Sequence, residues 1–483
     1  MKKIVLGIFC LLLLVLFVGS FVTGPVAHSA IEQQIAKINR MPGYQAELVE
    51  YSENWRTAQG KVRVGFDWGL YANMSADDPQ LQKKIQQMPS SLLLDVQVNH
   101  GPVLPQDGFG IGVAYIEMRP DVSNYPQLQA FQQKVDIDAL FTYQATVGLL
   151  GRSPFAFTSP AFDWINEENG GTLSYGGARF SGSYDARSHN LIMNGALAPL
   201  SFAGEKGAVQ VSAIELSGDL ELVNDMVSLG EMTMTLANIT VNERQSVGND
   251  SLASVNDLVV RYSGSRDGDN TVKMAVQYGI GELLAGDEQL ADMNVQIVFE
   301  RLGVDALQKY YDQLIGLYQN AEGVSDLQQR QLAMMSELGL EFLKYSPAMH
   351  IPDISFTMND GRFSANARVD FDGQGAEIVA ADLANPLMLM ARLKIVAALS
   401  FDQQLLETLG VKILADQISA QLVSQNQQMS EDEVNELAKS QLQMALTQQV
   451  DQGIIVSTSE GYRAAFSLEK GAMQLNGKPF SPF

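Results

Sequence analysis

The sequence predicts an α+β protein: an N-terminal transmembrane helix, then a long bent antiparallel β-sheet with helices packed on one face. Three observations predict it. Ile4 to Val22 is an uncharged, proline-free apolar run behind Lys2 and Lys3. From Tyr44 onward, segment after segment alternates apolar and polar residues. Two blocks, Val304 to Tyr345 and Phe401 to Gln449, instead carry apolar residues at helical spacing.

The first element is the anchor, with Ile4, Leu12, Leu14, Phe17 and Val22 along it. At about 1.5 Å per residue the run reaches roughly 28 Å, near the thickness of a bilayer's hydrocarbon core. Two lysines precede it and the next charged residue is Glu32, so the amino terminus is expected in the cytoplasm and the rest beyond the membrane. Ala27-His28-Ser29 resembles a cleavage site, but the run is longer than a usual signal h-region, which favours a retained anchor. Ile31, Ile35, Ile38 and Met41 then recur at helical spacing until Pro42-Gly43, a short stalk helix packing on the first domain.

Strands follow. Val272, Met274, Val276 and Tyr278 alternate with polar neighbours, as do Met293, Val295, Ile297 and Phe299. The alternation runs on odd numbers through Val209, Val211 and Ala213, shifts by one residue at Ile214, and shifts again between Leu236 and Ile239, so bulges or short turns are expected there. Phe180 to Asp185 and Tyr262 to Asp267 echo one another, both leading a strand into a turn, with Gly361 to Asn366 a looser third copy that follows the turn at Asn359-Asp360-Gly361. Short helices are expected over 79–88 and 126–140, and a helical hairpin over 304–345. Pro386 to Leu399 reads as a buried strand, and Ser430 with Glu433 as the capping box of a late helix bearing Val434, Leu437, Leu442 and Ala445. The last hairpin, Ile454 to Pro479, turns at Ser459-Glu460-Gly461 and contains Asn476-Gly477. The expected organisation is an anchor over 1–30, a β-rich region over 31–300, a helical insertion over 301–350, and a β/α region over 351–483 that completes the sheet.

Composition bounds the chemistry. With 46% hydrophobic residues among 483, a sizeable core is affordable. The net charge of −23 repels nucleic acid and anionic headgroups, which argues against nucleic acid as a partner. Cys10, the one cysteine, lies in the apolar run, so the rest has no disulfide, thiol nucleophile or cysteine metal site. His28, His100, His189 and His350 show no zinc spacing, and no nucleophile elbow, phosphate loop or dinucleotide fingerprint occurs. Asp370 to Gly375 and Asp267 to Asn270 look like starts of calcium loops, but hairpin turns require the same residues. Glu167-Glu168 and Asp136/Asp138 are ordinary for an acidic surface. No catalytic residue, metal site or cofactor is called for.

Asn99-His100-Gly101-Pro102 follows the hydrophobic strand Leu92 to Val98, and the chain closes on Met473-Gln474-Leu475-Asn476-Gly477-Lys478. With the N-terminal apolar run and the Tyr51 to Gly60 stretch, these features resemble the YdgA family of bacterial inner-membrane-anchored envelope proteins, over nearly the full length. Arg56-Thr57 departs from the Arg-Gly of that family. The resemblance implies a single-pass inner-membrane protein with its bulk in the periplasm, a homodimer among its options, and no catalytic residues. His100 reads first as a structural histidine ahead of a Gly-Pro turn and second as a ligand or proton site.

Three functions are weighed. The leading expectation is a non-enzymatic scaffold or assembly factor acting on other envelope proteins. The alternative is a carrier for lipids or other amphiphiles, with Leu307, Tyr311, Leu314 and Tyr318 lining an apolar groove. An enzyme is disfavoured by the missing constellations.

Overall fold

The computed structural model describes residues 23–41, 43–67, 90–106, 108–123, 140–166, 170–205, 207–243, 253–286, 288–320, 324–358, 361–373, 385–424 and 429–481. Ile4 to Val22, with Leu12, Leu14 and Phe17, lies outside them, as do 79–88 and all of 126–140 but Leu140. Among the described residues no helix is long and apolar enough to cross a membrane. Strand takes 56% and helix 25%, and the helices are mostly C-terminal. The expected fold class is therefore corrected to a chain built chiefly on antiparallel sheet, in which none of the described helices could span a membrane. The single-pass inner-membrane placement is corrected on the same finding. Hydropathy over Ile4 to Val22 measured apolar length alone; the first described helix is the expected stalk, with its apolar residues on one face against a sheet.

That helix, α1, is described over 23–38. Ala27, Ile31 and Ile35 recur every fourth residue and so share one face. They pack on Ala58, Val62, Val96, Val98, Ala114 and Ile116. Asn39 ends the helix by gripping the next strand: its side chain donates to the Ala46 carbonyl at 2.9 Å and accepts from the Ala46 amide at 2.5 Å. The chain divides into two compact units, the first comprising Met1–Lys206, Gln210–Met232 and Gln308–Met335.

Unit one is an antiparallel meander. Its strands are β1 (Tyr44–Glu53), β2 (Thr57–Phe66), β3 (Ser91–His100), β6 (Ala114–Asp121), β7 (Thr142–Val147), β8 (Arg152–Ser159), β11 (Ala178–Asp185), β12 (Asn190–Leu197) and β15 (Ile214–Leu222), each paired to the next named. Strands β4 (Val103–Gln106) and β5 (Gly108–Ile111) form a small separate hairpin. Three further strands, β9 (Phe162–Ile165), β10 (Thr172–Tyr175) and β13 (Leu200–Ala203), pair in the order β9–β10–β13. They continue β8, β11 and β12 across aligned two-residue breaks at Pro160-Ala161, Gly176-Gly177 and Ala198-Pro199. Prolines cannot donate to a ladder, and Gly177 takes φ +96 with the Ser159 carbonyl where a Cβ would sit. The Phe180 ring fills the space over Gly195, its cross-strand partner, and Phe155 does the same for Gly182.

Strands β14 (Gly207–Val211) and β16 (Ser228–Glu243) are divided between the units, as are helices α2 (Val304–Asn320) and α3 (Val324–Leu343). The expected phase shift after Val211 is a break between β14 and β15; the one after Leu236 falls inside continuous β16.

Unit two is a second antiparallel meander: β17 (Ala253–Arg266), β18 (Thr271–Ala285), β19 (Glu288–Gly303), β20 (Ala348–Met358), β21 (Gly361–Phe371), β22 (Leu393–Asp402) and β24 (Gly461–Glu469), paired in that order. Short strands β23 (Val456–Ser457), β25 (Ala472–Leu475) and β26 (Lys478–Pro479) complete the last hairpins. Two echo copies end strands, in β11 and β17, and the third begins one, in β21. Register shifts interrupt β18–β19, β19–β20 and β20–β21. Such bulges bend strands.

Three helices interrupt this meander: α4 (Pro386–Arg392), α5 (Gln403–Ser424) and α6 (Glu431–Asp451). The capping box of Ser430 and Glu433 starts α6. The strand expected over Pro386 to Leu399 is half helix. Asn385 caps it by accepting from the Leu387 and Met388 amides, Pro386 occupies the first turn, and strand begins only at Leu393. Leu387, at 76% exposure, is not core.

Candidate functional site

His100 closes β3, and its ring is 1% exposed. Its Nε2 lies 3.1 Å from the Asn54 carbonyl and 3.9 Å from a Glu53 carboxylate oxygen, and its amide donates to the Arg56 carbonyl at 2.9 Å. The β1–β2 turn is thereby tied to the end of β3. Gly101 follows at φ +133, a conformation that favours glycine, and donates to the Val113 carbonyl at 3.0 Å. Above the ring passes α1: a Cβ on Gly24 would meet Glu53 Oε1 and approach His100 Cε1 to 3.1 Å. One turn on, His28 stacks on Tyr51 at 4.4 Å. The Tyr51 hydroxyl is buried without a hydrogen-bond partner among the described residues; burial, and then the Glu53 charge, push its pKa up. His100 and Gly101 thus tie the β1–β2 turn and Val113 to the end of β3 beneath α1. The site is packed, with its histidine committed to backbone.

Ionic groups gather elsewhere, on the polar sheet faces. In unit one Lys61 Nζ bonds Asp121 at 2.5 Å and lies 3.4 Å from Asp95. The hydrogen bond from Lys61, then that from Ser123, hold the Asp121 carboxyl below its ordinary value. In unit two Glu300 receives Lys273 at 3.1 Å and Arg368 at 2.8 Å, while Asp370 receives Arg368 at 2.8 Å and Arg301 at 3.0 Å. The carboxyl of Glu300, through Lys273 first, and that of Asp370, through Arg368 first, are both lowered. Asp370, the first residue of a suspected calcium loop, is spent on this ladder. Asp267, from the other, accepts from the Arg301 amide at 2.8 Å. Among the described residues no cluster could hold a metal ion.

The opposite face of the unit-two sheet has a different chemistry. Val260, Tyr278, Val295, Ile354, Ala365, Leu399 and Ala464 form one unbroken cross-strand row from β17 to β24. A second row runs Gly264, Met274, Phe299, Met349, Val369, Ile395 and Leu468. Neither row contains a charge. Seven strands at about 4.8 Å spacing make each row roughly 29 Å wide. Helix α5 closes one end, its buried Leu405 seated on Gly361. The middle stays open: Tyr278, Phe299 and Met349 are 46%, 38% and 37% exposed. Apolar faces of this extent are not left wet without a role.

A family model for a bacterial protein family of unknown function, DUF945, matches residues 1–483. The chain belongs to the DUF945 family. No curated protein and no solved structure matches it.

The DUF945 match assigns no residue a role, so the site rests on geometry. Of the residues expected to line a groove, Leu307 is buried and Tyr311 and Leu314 are half-buried, while the side chain of Tyr318 lies outside the described residues. The open apolar surface lies on strands instead. Its signal was present in the alternation of β18 and β19, but alternation says which residues share a face and not whether that face is covered.

Proposed function

We propose that this DUF945 chain is a non-enzymatic binding protein that holds an acyl-chain amphiphile against the apolar sheet face of unit two. Within the family we place it with the YdgA type, on Asn99-His100-Gly101-Pro102 and Met473 to Lys478. One observation carries the functional reading: two seven-strand rows without a charge, with Tyr278, Phe299 and Met349 exposed in them. Methionines 274, 293 and 349 give this face adaptable side chains suited to chains of varied length. The net charge of −23 favours a neutral or zwitterionic headgroup over an anionic one.

The test is native mass spectrometry of the whole chain, purified without detergent. Retained lipid is expected. It should be lost in Tyr278→Asp and Phe299→Asp, which place a charge against the acyl chain at positions exposed enough to leave the fold intact by circular dichroism. A clean single-chain mass would sink the carrier reading and leave a scaffold acting through protein contacts. A clean two-chain mass would mean that a second copy covers the face.

A further inference from the structure

We infer that unit two carries a second, separate binding site: a pocket for a small molecule bearing an oxyanion, phosphate or carboxylate, on the polar face of β21, β22 and β24. The pocket is a half-open recess of about 390 Å³ on the sheet; Ser364, Asn366, Ala398, Ser400, Arg463 and Ala465 line it together with Leu399 and Ala464, with Val456 and Asn476 at its rim. Ser364 pairs with Ser400, and Ser400 with Arg463; one step along, Asn366 pairs with Ala398, and Ala398 with Ala465. Directly opposed residues project from the same face, so these six side chains form a patch two deep and three wide. Four are short and make a floor, while Asn366 and Arg463 stand at opposite corners. The rim is fixed: the Asn476 amide donates to the Gly453 carbonyl at 2.8 Å and the Ile454 carbonyl at 3.0 Å, and its oxygen accepts from the Ala465 amide at 2.8 Å.

The lining offers donors. Ser364 and Ser400 share one hydrogen bond at 2.7 Å, which leaves one of their two O–H groups to donate elsewhere. Asn366 adds its amide. Arg463 adds a planar fork, and among the described residues it has no carboxylate partner, whereas Arg301 and Arg368 are both engaged by Asp370. One cation and no anion line the cavity. A forked cation beside neutral donors is complementary to a bidentate oxyanion. The volume suits a small ligand. The side chains of Ala365, Leu399 and Ala464, between these positions, project to the apolar row on the other face, so the oxyanion is not the headgroup of the proposed acyl ligand.

Isothermal titration of the full chain with inorganic phosphate, and separately with acetate, tests this. Saturable one-to-one binding of at least one is expected. Arg463→Gln should weaken it by about tenfold or more, the loss of a charge-assisted hydrogen bond. Arg463→Lys, which keeps the charge but not the fork, should fall between. Both variants should melt as the parent does without ligand. Absence of saturable heat with either anion, or an Arg463→Gln chain that binds as tightly as the parent, overturns the site. Sedimentation with phosphatidylglycerol vesicles separates the sources: vesicle binding that disappears in Arg463→Gln would reassign the pocket to a lipid headgroup and overturn the small-ligand proposal.

Discussion

Two aromatic residues under α1 lead to opposite expectations. His100 is buried with its Nε2 on a backbone carbonyl, so His100→Ala removes both a filled volume and the partner of the Asn54 carbonyl. It should cost about 1–3 kcal/mol in urea unfolding, and lipid retention per folded molecule should not change. Loss of retention at unchanged stability would make His100 a ligand-contacting residue instead. The Tyr51 hydroxyl is buried without a partner among the described residues, so Tyr51→Phe removes a desolvated group and should be neutral or stabilising by up to about 1 kcal/mol. Asp121 supplies the pH test. Its folded-state pKa lies below the ordinary 3.8, through Lys61 first. Its stabilisation is therefore complete above about pH 4 and is lost as pH falls through the lower folded value. Melting curves of parent and Asp121→Asn should differ at pH 7 and converge in that acid window. None of these pairings was legible in the sequence, because Lys61 and Asp121 meet only through strand pairing. The capping box of Ser430 and Glu433 was legible, because both partners lie within one helical turn.

Elements divide along the same line. The turns at 459–461 and 476–477 and the helices α5 and α6 follow from local residue chemistry. The half-helix at Pro386 was misjudged because apolar continuity was weighed above Asn385-Pro386, a cap and first-turn pair that decides a helix start without reference to anything distant. Asn385→Ala should fray α4 and cost about 1 kcal/mol, read as faster amide exchange at Leu387 and Met388. Within β12, Gly195 has no room for a branched side chain because the Phe180 ring occupies that space. Gly195→Val should destabilise by about 1–3 kcal/mol, and Phe180→Ala in the same chain should recover part of it. A full cost unchanged by the second substitution would count against this packing. The glycine of the echoed Phe180-Ser181-Gly182-Ser183 segment thus has a steric reason, the Phe155 ring beside it, in place of a repeat.

For the whole molecule, period-two alternation was enough to foretell long antiparallel strands. It could not foretell that the strands would form two meanders, nor which apolar face would remain open, since both depend on pairings over long sequence separations. The N-terminal expectation rested on apolar length over Ile4 to Val22, whereas the one-face spacing of Ile31 and Ile35 did foretell a helix packed on the first sheet. The sheet of unit two has a further consequence. Its charged ladder of Lys273, Glu300, Arg368 and Asp370 lies on one side and its uncharged rows on the other, which is the build of a surfactant. With this face bare, the protein should lower the surface tension of buffer and collect at an air–water boundary. In a thin vitrified film its particles should then share one orientation, apolar side outward.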